Sequence, residues 1–346
     1  MSRQKREDKR IRRKLLLLMP WACIVVVIAA LLWYQGTVIL SKDNMEVHKT
    51  YKRHYALVTG GTDDVFWSSV YESAYAVAAE HDVLLERFGY DLAVKYSKDD
   101  LLEMAIEAGV DGIIVEGDED ERTIELINRA VSQNIPVVTI LSDCSGSMRQ
   151  SYVGVNNYDI GQNYGEAIAK LIGETPSSKL NVRVILESKE ADVAQNLVLL
   201  GVRENLEKYY GEGLIDVTSG TVSEPDDFAV EEYMRDTFLD RAQLPEFIVC
   251  LNSITTQQAY QAAVDYNAVG SCKILGYYDS ESILSAVSKG IISSTLSVDT
   301  EQLGRYAVEN LNDYIETGYT NGYNAVDMKM IDREKAAEIL EQRKEQ

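Results

Sequence analysis

The chain has 346 residues, of which 46% are hydrophobic and 26% are charged, a composition that fits one or two globular units and excludes a wholly disordered protein. Its 34 basic and 55 acidic residues leave a net charge of −21. This argues against nucleic acid as a partner, because neutralising phosphates requires clustered Lys and Arg. The charge is uneven, since residues 1–40 carry +6 while the remainder, with 26 basic and 53 acidic residues, carries −27.

An uncharged segment follows the basic N-terminus. Residues 15–40 carry no formal charge, and a bilayer core about 30 Å thick needs roughly 20 apolar residues in a helix. All eight early basic residues precede this segment, which predicts a cytoplasmic tail at 1–14, a transmembrane helix at 15–40 and an extracytoplasmic remainder. The alternative is a cleaved signal peptide, which has a shorter apolar region followed by a small-residue cleavage site. Here Ala29 and Ala30 lie inside the run, which favours a single-pass anchor.

Four cysteines give no disulfide framework. Cys23 falls in the predicted span, which leaves the odd number of three, Cys144, Cys250 and Cys272, outside it. Cys250 and Cys272 fall near opposite ends of predicted neighbouring strands, too far apart to bridge. We expect all three to be small buried side chains.

Behind a polar stalk at 41–52, strand and helix patterns alternate to the end of the chain. In the first half the pattern predicts strand 55–59, helix 66–81, strand 83–88, helix 99–108, strand 112–115, helix 121–133, strand 136–141 and, after a Ser/Gly-rich loop at 142–151, strand 152–155. In the second half it predicts helix 158–172, strand 181–187, helix 191–210, strand 214–219, helix 227–241, strand 246–251, helix 255–266, strand 273–277, helix 281–288, strand 291–296, helix 300–317, strand 325–330 and a charged helical tail at 333–346.

This alternation predicts an α/β fold with parallel sheets covered on both faces. The number of strands favours two doubly wound lobes over one sheet. Ligands of open parallel sheets bind beyond the carboxyl ends of the strands, so the cleft between two such lobes is the expected site.

Enzyme motifs are absent or incomplete. Residues 56–61 (ALVTGG) look like the opening of a dehydrogenase, but Asp63 and Asp64 follow where the phosphate-binding turn needs further glycines. The three histidines show no metal-ligand spacing, and neither a phosphate loop nor a nucleophile elbow is present. The acidic runs 118–121 and 224–227 could hold a cation but are more typical of helix N-termini. We therefore expect no enzyme activity, no cofactor and no metal.

Six short motifs resemble one family. They occur in the order of the type I periplasmic binding proteins, especially the ribose- and galactose-binding branch, and are also similar to the ligand-binding cores of lactose-repressor-type proteins. The motifs are 55–58 (YALV) with 63–67 (DDVFW), 111–116 (DGIIVE), 134–138 (NIPVV), 153–157 (VGVNN), 276–279 (GYYD), and 290–291 (GI) leading to 303–304 (LG). A repressor would have a DNA-reading helix-turn-helix before the core, where this chain has the apolar span instead.

The resemblance implies two lobes joined by a three-crossover hinge that closes on a ligand. Lobe 1, next to the membrane, would comprise residues 53–156 with 299–323, and lobe 2 would comprise 157–298 with 324–332. The crossovers would fall near 155–157, 296–299 and 321–325.

The resemblance also implies pocket residues. Phe66 and Trp67 match the family's aromatic pair, whose rings stack on sugar faces, although core packing at a helix start is the alternative reading. Other pocket positions of the family fall on Asp64, Glu116, Asn252 and Tyr277.

The chain departs from the family at several sugar-contacting positions. Tyr278 stands where sugar binders have an aspartate. Stand-in groups are Asp143, Asn196 and Asp279, with Gln195 and Glu224 as further candidates. Because each lost partner would leave a buried polar group unpaired, either the ligand is less polar than a free hexose or these residues substitute for the missing ones. The surplus of Asp, Glu and Tyr around the expected cleft would also tolerate an amine-bearing ligand.

Two functions fit these expectations. The first is a membrane-anchored extracytoplasmic solute-binding protein that delivers a sugar-like molecule to an ABC-type importer. The alternative is a ligand-sensing receptor of the same fold that signals through a partner membrane kinase or permease, since the tail of 14 residues is too short to signal by itself.

Overall fold

The computed structural model describes residues 50–60, 65–186, 193–222 and 227–344. The tail at 1–14 and the predicted span at 15–40 lie outside these residues. Within the described ranges, no helix is both long enough and apolar enough to cross a membrane.

Strands and helices alternate along the described chain. The strands are β1 (Arg53–Val58), β2 (Val83–Arg87), β3 (Gly112–Glu116), β4 (Val137–Leu141), β5 (Ser151–Gly154), β6 (Leu180–Leu186), β7 (Ile215–Thr221), β8 (Phe247–Cys250), β9 (Lys273–Tyr277), β10 (Ser294–Val298), β11 (Tyr323–Ala325) and β12 (Met328–Ile331). The helices are α1 (Val65–Glu80), α2 (Lys98–Ala108), α3 (Glu121–Ser132), α4 (Asn157–Ile172), α5 (Val193–Tyr210), α6 (Asp227–Leu239), α7 (Ser253–Asp265), α8 (Glu281–Ser288), α9 (Thr300–Thr317) and α10 (Arg333–Lys344).

The strands form two six-stranded sheets, each the centre of one lobe. Sheet 1 has the order β11-β5-β4-β3-β1-β2 and sheet 2 has the order β12-β10-β9-β8-β6-β7. The two orders match position for position, so each strand of lobe 1 has a counterpart in lobe 2. All pairings in sheet 1 are parallel. The predicted two-lobe α/β fold is confirmed.

The apolar runs of the sequence form the central strands because both faces of each sheet are covered. In β8 all four residues (FIVC) are buried, and in β3 the first four residues (GIIV) are. Polar residues start the helices: the side chains of Asp120, Asn156 and Asp299 each accept a backbone hydrogen bond from the first turn of α3, α4 and α9. The same residues thus satisfy donors that a helix start would leave unpaired.

Helices pack closely where glycine permits it. A Cβ on Gly304 of α9 would collide with the backbone oxygen of Val70 in α1. A Cβ on Gly161 of α4 would likewise collide with the backbone oxygen of Val198 in α5. These contacts hold the first helix of each lobe against a neighbouring helix, and so position the residues that begin α1 and α4.

The end of the chain differs from the sequence prediction. Residues 325–330 were expected to form one parallel strand, but β11 belongs to sheet 1 and β12 pairs antiparallel with β10 in sheet 2. Alternation of apolar residues cannot reveal that the chain changes sheet within such a run. The described chain passes between the sheets after β5, after β10 and at Val326–Asp327, the last of these beyond the expected 321–325.

Cys144, Cys250 and Cys272 are buried and unbonded, as expected. Burial raises the pKa of Cys144 to about 11 and that of Cys272 to about 12. Because the thiolate is the reactive form, these thiols are packing groups and not nucleophiles.

Candidate functional site

The candidate site lies where the carboxyl ends of the strands of both lobes meet. Phe66 and Trp67 lie in the first turn of α1, directly after the segment that follows β1, and Tyr277 and Tyr278 lie at the end of β9. All four side chains are buried, with at most 7% of any residue exposed. Strand ends from two different sheets therefore contribute to one cluster of rings.

Phe66 joins the two lobes in this cluster. Its ring centroid lies 5.9 Å from that of Tyr277 and 5.3 Å from that of Tyr278, the latter at an interplanar angle of 82°. Trp67 meets Phe66 edge-on, with centroids 5.1 Å apart. Aromatic pairs in such arrangements contribute about 0.5–1.5 kcal/mol each beyond the area they bury. The four rings, here called the ring cluster, thus stabilise the contact of lobe 1 with lobe 2.

Tyr278 has an unusual backbone, with φ of 74°. This is the left-handed region, which is costly for a bulky residue and is often found at functional sites. Its amide donates to the Leu296 oxygen at 2.7 Å, and its own carbonyl oxygen accepts from the Thr295 hydroxyl, also at 2.7 Å. These bonds to β10 hold the strained residue in place.

Lobe 1 repeats this arrangement at the equivalent strand end. Leu141, which ends β4, has φ of 65°, and its carbonyl oxygen accepts from the Tyr152 hydroxyl at 2.9 Å. Tyr152 is the second residue of β5, and Thr295 is the second residue of β10. These two strands occupy equivalent positions in the two sheets. In each lobe, therefore, a hydroxyl from β5 or β10 fixes a residue with left-handed backbone at the end of the neighbouring strand, β4 or β9.

Glu116, a predicted ligand residue, ends β3. Its Oε2 accepts a hydrogen bond from the backbone N–H of Gly60 at 2.8 Å. This bond joins the ends of the neighbouring strands β1 and β3, so one carboxylate oxygen positions the loop that leads into α1. The side chain is half-buried at the strand edge.

Asp143, a predicted stand-in, is bound by an arginine. The guanidinium of Arg149 donates from Nη2 to Oδ2 at 2.6 Å and from Nε to Oδ1. Oδ1 also accepts from the Cys144 amide at 2.7 Å. Arg149 Nη1 reaches the Gly322 oxygen at 3.4 Å, just before β11. The carboxylate is therefore part of an internal pair that fixes the loop 142–149.

Asp279, another predicted stand-in, is also bound by an arginine. Arg343, near the end of α10, donates to the backbone oxygen of Asp279 at 2.8 Å and to its Oδ2 at 3.0 Å. The Asp279 side chain is only 14% exposed. The C-terminal helix thus holds the residue that follows Tyr278.

Asn252, matched to a hydroxyl-binding asparagine of the family, begins α7. Its Oδ1 accepts from the Thr255 amide at 2.6 Å, so this oxygen caps the helix. Its backbone oxygen accepts from the Thr256 hydroxyl at 2.6 Å, and that hydroxyl accepts from the Tyr277 amide at 2.9 Å. The side-chain NH2 group can donate to a ligand, and Oδ1 retains a second lone pair that can accept. The Thr256 hydroxyl ties the end of β8 to the strand that carries Tyr277.

Asn196 and Asp64 are the remaining predicted site residues. Asn196 lies in α5 with its side chain exposed, and the structure does not bring it into the ring cluster. Asp64 lies outside the described residues.

A buried hydroxyl supports the strand ends of lobe 2. Tyr164 of α4 donates to the oxygens of Cys250 and Gly276, each at 3.0 Å. Burial raises the pKa of this phenol well above its usual value, so it stays a neutral donor. It holds β8 and β9 together directly behind the residues that face the cleft.

The sequence analysis did not identify the two arginines of the site. Arg149 was assigned to a loop of flexible composition, and Arg343 to a charged tail far along the chain. Asp143 and Arg149 are six residues apart and could have been paired by charge. For Arg343 and Asp279 the sequence carries no such signal, because only the packing of α10 brings them together.

The chemistry of the site is that of binding. It offers flat rings, backbone polar groups and carboxylates that are already hydrogen-bonded. Among the residues that the structure describes, no cluster of His, Cys, Asp or Glu could hold a metal ion. Asp120 caps α3, Asp118 pairs with Lys98, and Glu119 accepts from the Ser145 amide at 2.8 Å, so the acidic run 118–121 has structural partners.

Comparison with known proteins agrees with the geometry. A family model described as a periplasmic binding protein domain matches residues 55–320. A search among curated proteins found no match.

Solved structures with the same fold are numerous. A glucose-galactose binding protein, GanP, from Geobacillus stearothermophilus has a TM-score of 0.71 and 25% identity, covering 82% of this chain and 99% of that one. A XylFII–LytSN complex has a TM-score of 0.71 and 25% identity, covering 83% and 100%. A carbohydrate transporter from Acidothermus cellulolyticus in complex with myo-inositol has a TM-score of 0.68 and 23% identity, covering 84% and 97%.

Proposed function

Because the chain belongs to the periplasmic binding protein family, we propose that it binds a small sugar-like solute in the cleft between its two lobes. The ring cluster carries this proposal. Phe66 of lobe 1, with Trp67 against it, meets Tyr277 and Tyr278 of lobe 2 at the carboxyl ends of the strands, where open parallel sheets bind ligands. Aromatic faces suit the C–H groups of a sugar ring. The protein binds and does not catalyse.

The charge of the site favours a neutral solute over an amine. Asp143 and Asp279 are each paired with an arginine, so a cationic ligand would have to compete with Arg149 and Arg343 for them. A sugar hydroxyl can instead share a carboxylate that is already paired, because each carboxylate oxygen accepts more than one hydrogen bond. The similarity to a glucose-galactose binding protein at 25% identity supports the same class of ligand.

The experiment is a thermal melt of the full chain against pentoses, hexoses, inositols, nucleosides and polyamines. A ligand at about 1,000 times its dissociation constant adds roughly 4 kcal/mol of apparent stability. We expect a shift with one class of neutral sugar or polyol. A shift with polyamines alone would overturn the neutral assignment, and no shift with any compound would overturn solute binding.

We further propose that residues 15–40 anchor the protein in the membrane, with the binding domain extracytoplasmic and the solute delivered to an ABC-type importer. Support for the anchor comes from the uncharged run and the basic residues before it. An alkaline carbonate wash of membranes tests it. The full chain should stay in the pellet, whereas release into the supernatant would contradict the anchor.

A sensory role is the second candidate, through a partner membrane kinase or permease. It is favoured by the similarity to XylFII, which has been solved in complex with LytSN. Deleting the gene separates the two roles. Loss of uptake of the radiolabelled sugar supports delivery to an importer, whereas intact uptake with loss of the transcriptional response to that sugar supports sensing.

A further inference from the structure

One edge of lobe 1 exposes an unusual amount of apolar side chain. After β2, the edge strand of sheet 1, the residues from 90 to 97 (YDLAVKYS) are all exposed. Tyr90, Leu92, Val94 and Tyr96 alternate with smaller or charged residues and are 51%, 43%, 61% and 47% exposed. Tyr75 of α1 and Met104 of α2, the helices on either side, are also exposed. We call these six residues the tyrosine edge.

A groove of about 690 Å³ lies beside the part of the tyrosine edge formed by Tyr90, Leu92 and Met104. Its floor is apolar, with Leu85 and Phe88 buried and Tyr71 half-buried, and Tyr90, Leu92 and Met104 form its walls. Exposed apolar surface of this extent, grouped beside a groove, is typical of a site that another molecule covers.

The rim of the groove is acidic. Glu72, Glu86 and Asp91 line it with a single cation, Arg87. The Arg87 guanidinium lies 4.6 Å from the centroid of the Tyr90 ring and donates to the Ser68 hydroxyl at 3.1 Å, so it belongs to the wall of the groove. Burial, followed by the neighbouring Tyr75, raises the pKa of Tyr71, and the positive charge of Arg87 partly offsets this.

This charge selects the kind of partner. Two copies of this chain would bring like charges together at the rim, and each copy carries a net charge of −21. A partner with lysine or arginine beside its apolar side chains would instead match both the floor and the rim. Such complementarity also speeds the encounter of the two proteins.

We propose that the tyrosine edge is the docking surface for a partner protein that presents an amphipathic segment, with apolar side chains entering the groove and basic residues contacting its rim. The surface lies on lobe 1 outside the ring cluster. The proposal therefore does not depend on which solute the cleft binds, and it holds for a partner in transport or in sensing.

Site-specific crosslinking in living cells tests the proposal with the full chain. Photo-reactive benzoylphenylalanine replaces Tyr90 in one strain and Tyr209 in another. Tyr209 is a matched control because it is 55% exposed and lies at the end of α5 in lobe 2. The crosslinked peptide is then identified by mass spectrometry. We expect the Tyr90 position, and not the Tyr209 position, to join a segment of another protein that carries at least two lysines or arginines among apolar residues.

Charge reversal sharpens the test. Glu72→Lys with Asp91→Lys should lower the crosslink yield at least ten-fold, and both residues are exposed, so folding is expected to survive and is checked by the melting temperature. The proposal is overturned by a crosslink to a second copy of this chain, to an acidic segment, or at equal yield from both positions. It is also overturned by an absence of crosslinks at Tyr90, or by a yield that charge reversal leaves unchanged.

Discussion

Asp143, which was predicted to contact the ligand, has its main bonds inside the protein. Its two carboxylate oxygens accept from one guanidinium and from the Cys144 amide, while the same arginine reaches the chain before β11. A ligand that used Asp143 would share it with Arg149. Replacing Asp143 is therefore expected to change the stability of the protein more than its affinity for the ligand.

Replacing Asp143→Asn should lower the free energy of unfolding by about 1–3 kcal/mol, because a partly buried guanidinium loses its paired charge. The solute dissociation constant should change less than about three-fold, roughly 0.6 kcal/mol. Urea unfolding and calorimetric titration measure the two quantities. The control is the double variant Asp143→Asn with Arg149→Gln, which should recover part of the lost stability. A ten-fold loss of affinity with unchanged stability would assign Asp143 to the ligand.

Cys272 predicts how stability depends on alkaline pH. Burial raises its pKa from 9.0 in the unfolded chain to about 12. Between these values the folded state keeps a proton that the unfolded state has lost, so stability is complete below pH 9 and falls as pH rises toward 12. One such group contributes a slope of about −1.4 kcal/mol per pH unit.

The variant Cys272→Ala should therefore lose stability less steeply as the pH rises from 9.5 to 11. The difference between its slope and that of the unchanged chain should be about 1.4 kcal/mol per pH unit. Denaturant unfolding at several pH values measures the slope. The neighbouring exposed Ser271→Ala, which removes no titratable group, should keep the slope of the unchanged chain. Equal slopes in all three proteins would show that the thiol titrates alike in both states.

Sequence reasoning placed Glu116 and Asn252 at strand ends, where the structure has them, but could not assign their bonds. Asn252 is a helix cap, and this was readable in principle, because an asparagine directly before a helix commonly caps it. For Phe66 and Trp67 the sequence allows both ligand stacking and core packing, and in the structure they pack against each other, with Phe66 also packing across the lobes. Whether they also contact a ligand stays a prediction.

At the scale of elements, the alternation of strands and helices was predicted because buried parallel strands are short apolar runs. The prediction was wrong where the chain changes sheet, and it also began β10 three residues too early, at 291. Between β11 and β12 two residues suffice for the crossing, so 325–330 retained the pattern of one strand. The C-terminal helix was also predicted, but its role was not, since Arg343 acts on Asp279 across 64 positions of sequence.

Helix α10 gives a prediction that separates stability from binding. Arg343→Ala removes the bonds to Asp279 beside the ring cluster, and should weaken solute binding about three- to ten-fold because the loop after β9 loses its support. Arg333→Ala is the matched control on the same helix. Arg333 donates to the Ser288 oxygen at 2.9 Å, at the end of α8.

Both changes should lower the melting temperature slightly, since each bond is partly exposed and contributes about 0.5–1.5 kcal/mol. Only Arg343→Ala should change the dissociation constant measured by calorimetric titration. Equal affinities for the two variants would mean that α10 stabilises lobe 2 without acting on the site.

At the scale of the whole molecule, one apolar core runs through both lobes. It contains Tyr55 and Leu57 of sheet 1 together with Val184 and Leu275 of sheet 2, and Phe66 of the ring cluster belongs to it. A second core of lobe 1 alone lies on the other face of sheet 1 and includes Ile113 and Leu126. The lobes are therefore joined by apolar contacts as well as by the chain crossings.

We expect this continuity to make the two lobes unfold together. The unchanged chain should show a single calorimetric transition for residues 52–346, because separating the lobes exposes the rings of Phe66, Tyr277 and Tyr278. The double variant Phe66→Ala with Tyr278→Gly removes the contact, while glycine adopts the left-handed backbone at position 278 without strain. Losing a buried phenylalanine alone costs about 3–5 kcal/mol.

In this double variant the transition should split into two, one for each lobe, and the midpoint of the first should fall. The control is Tyr319→Ala, whose side chain is 72% exposed and which should melt as the unchanged chain does. A single transition shifted to lower temperature would mean that the hinge crossings alone couple the lobes. Two transitions in the unchanged chain would mean that the ring cluster does not couple the unfolding of the two lobes.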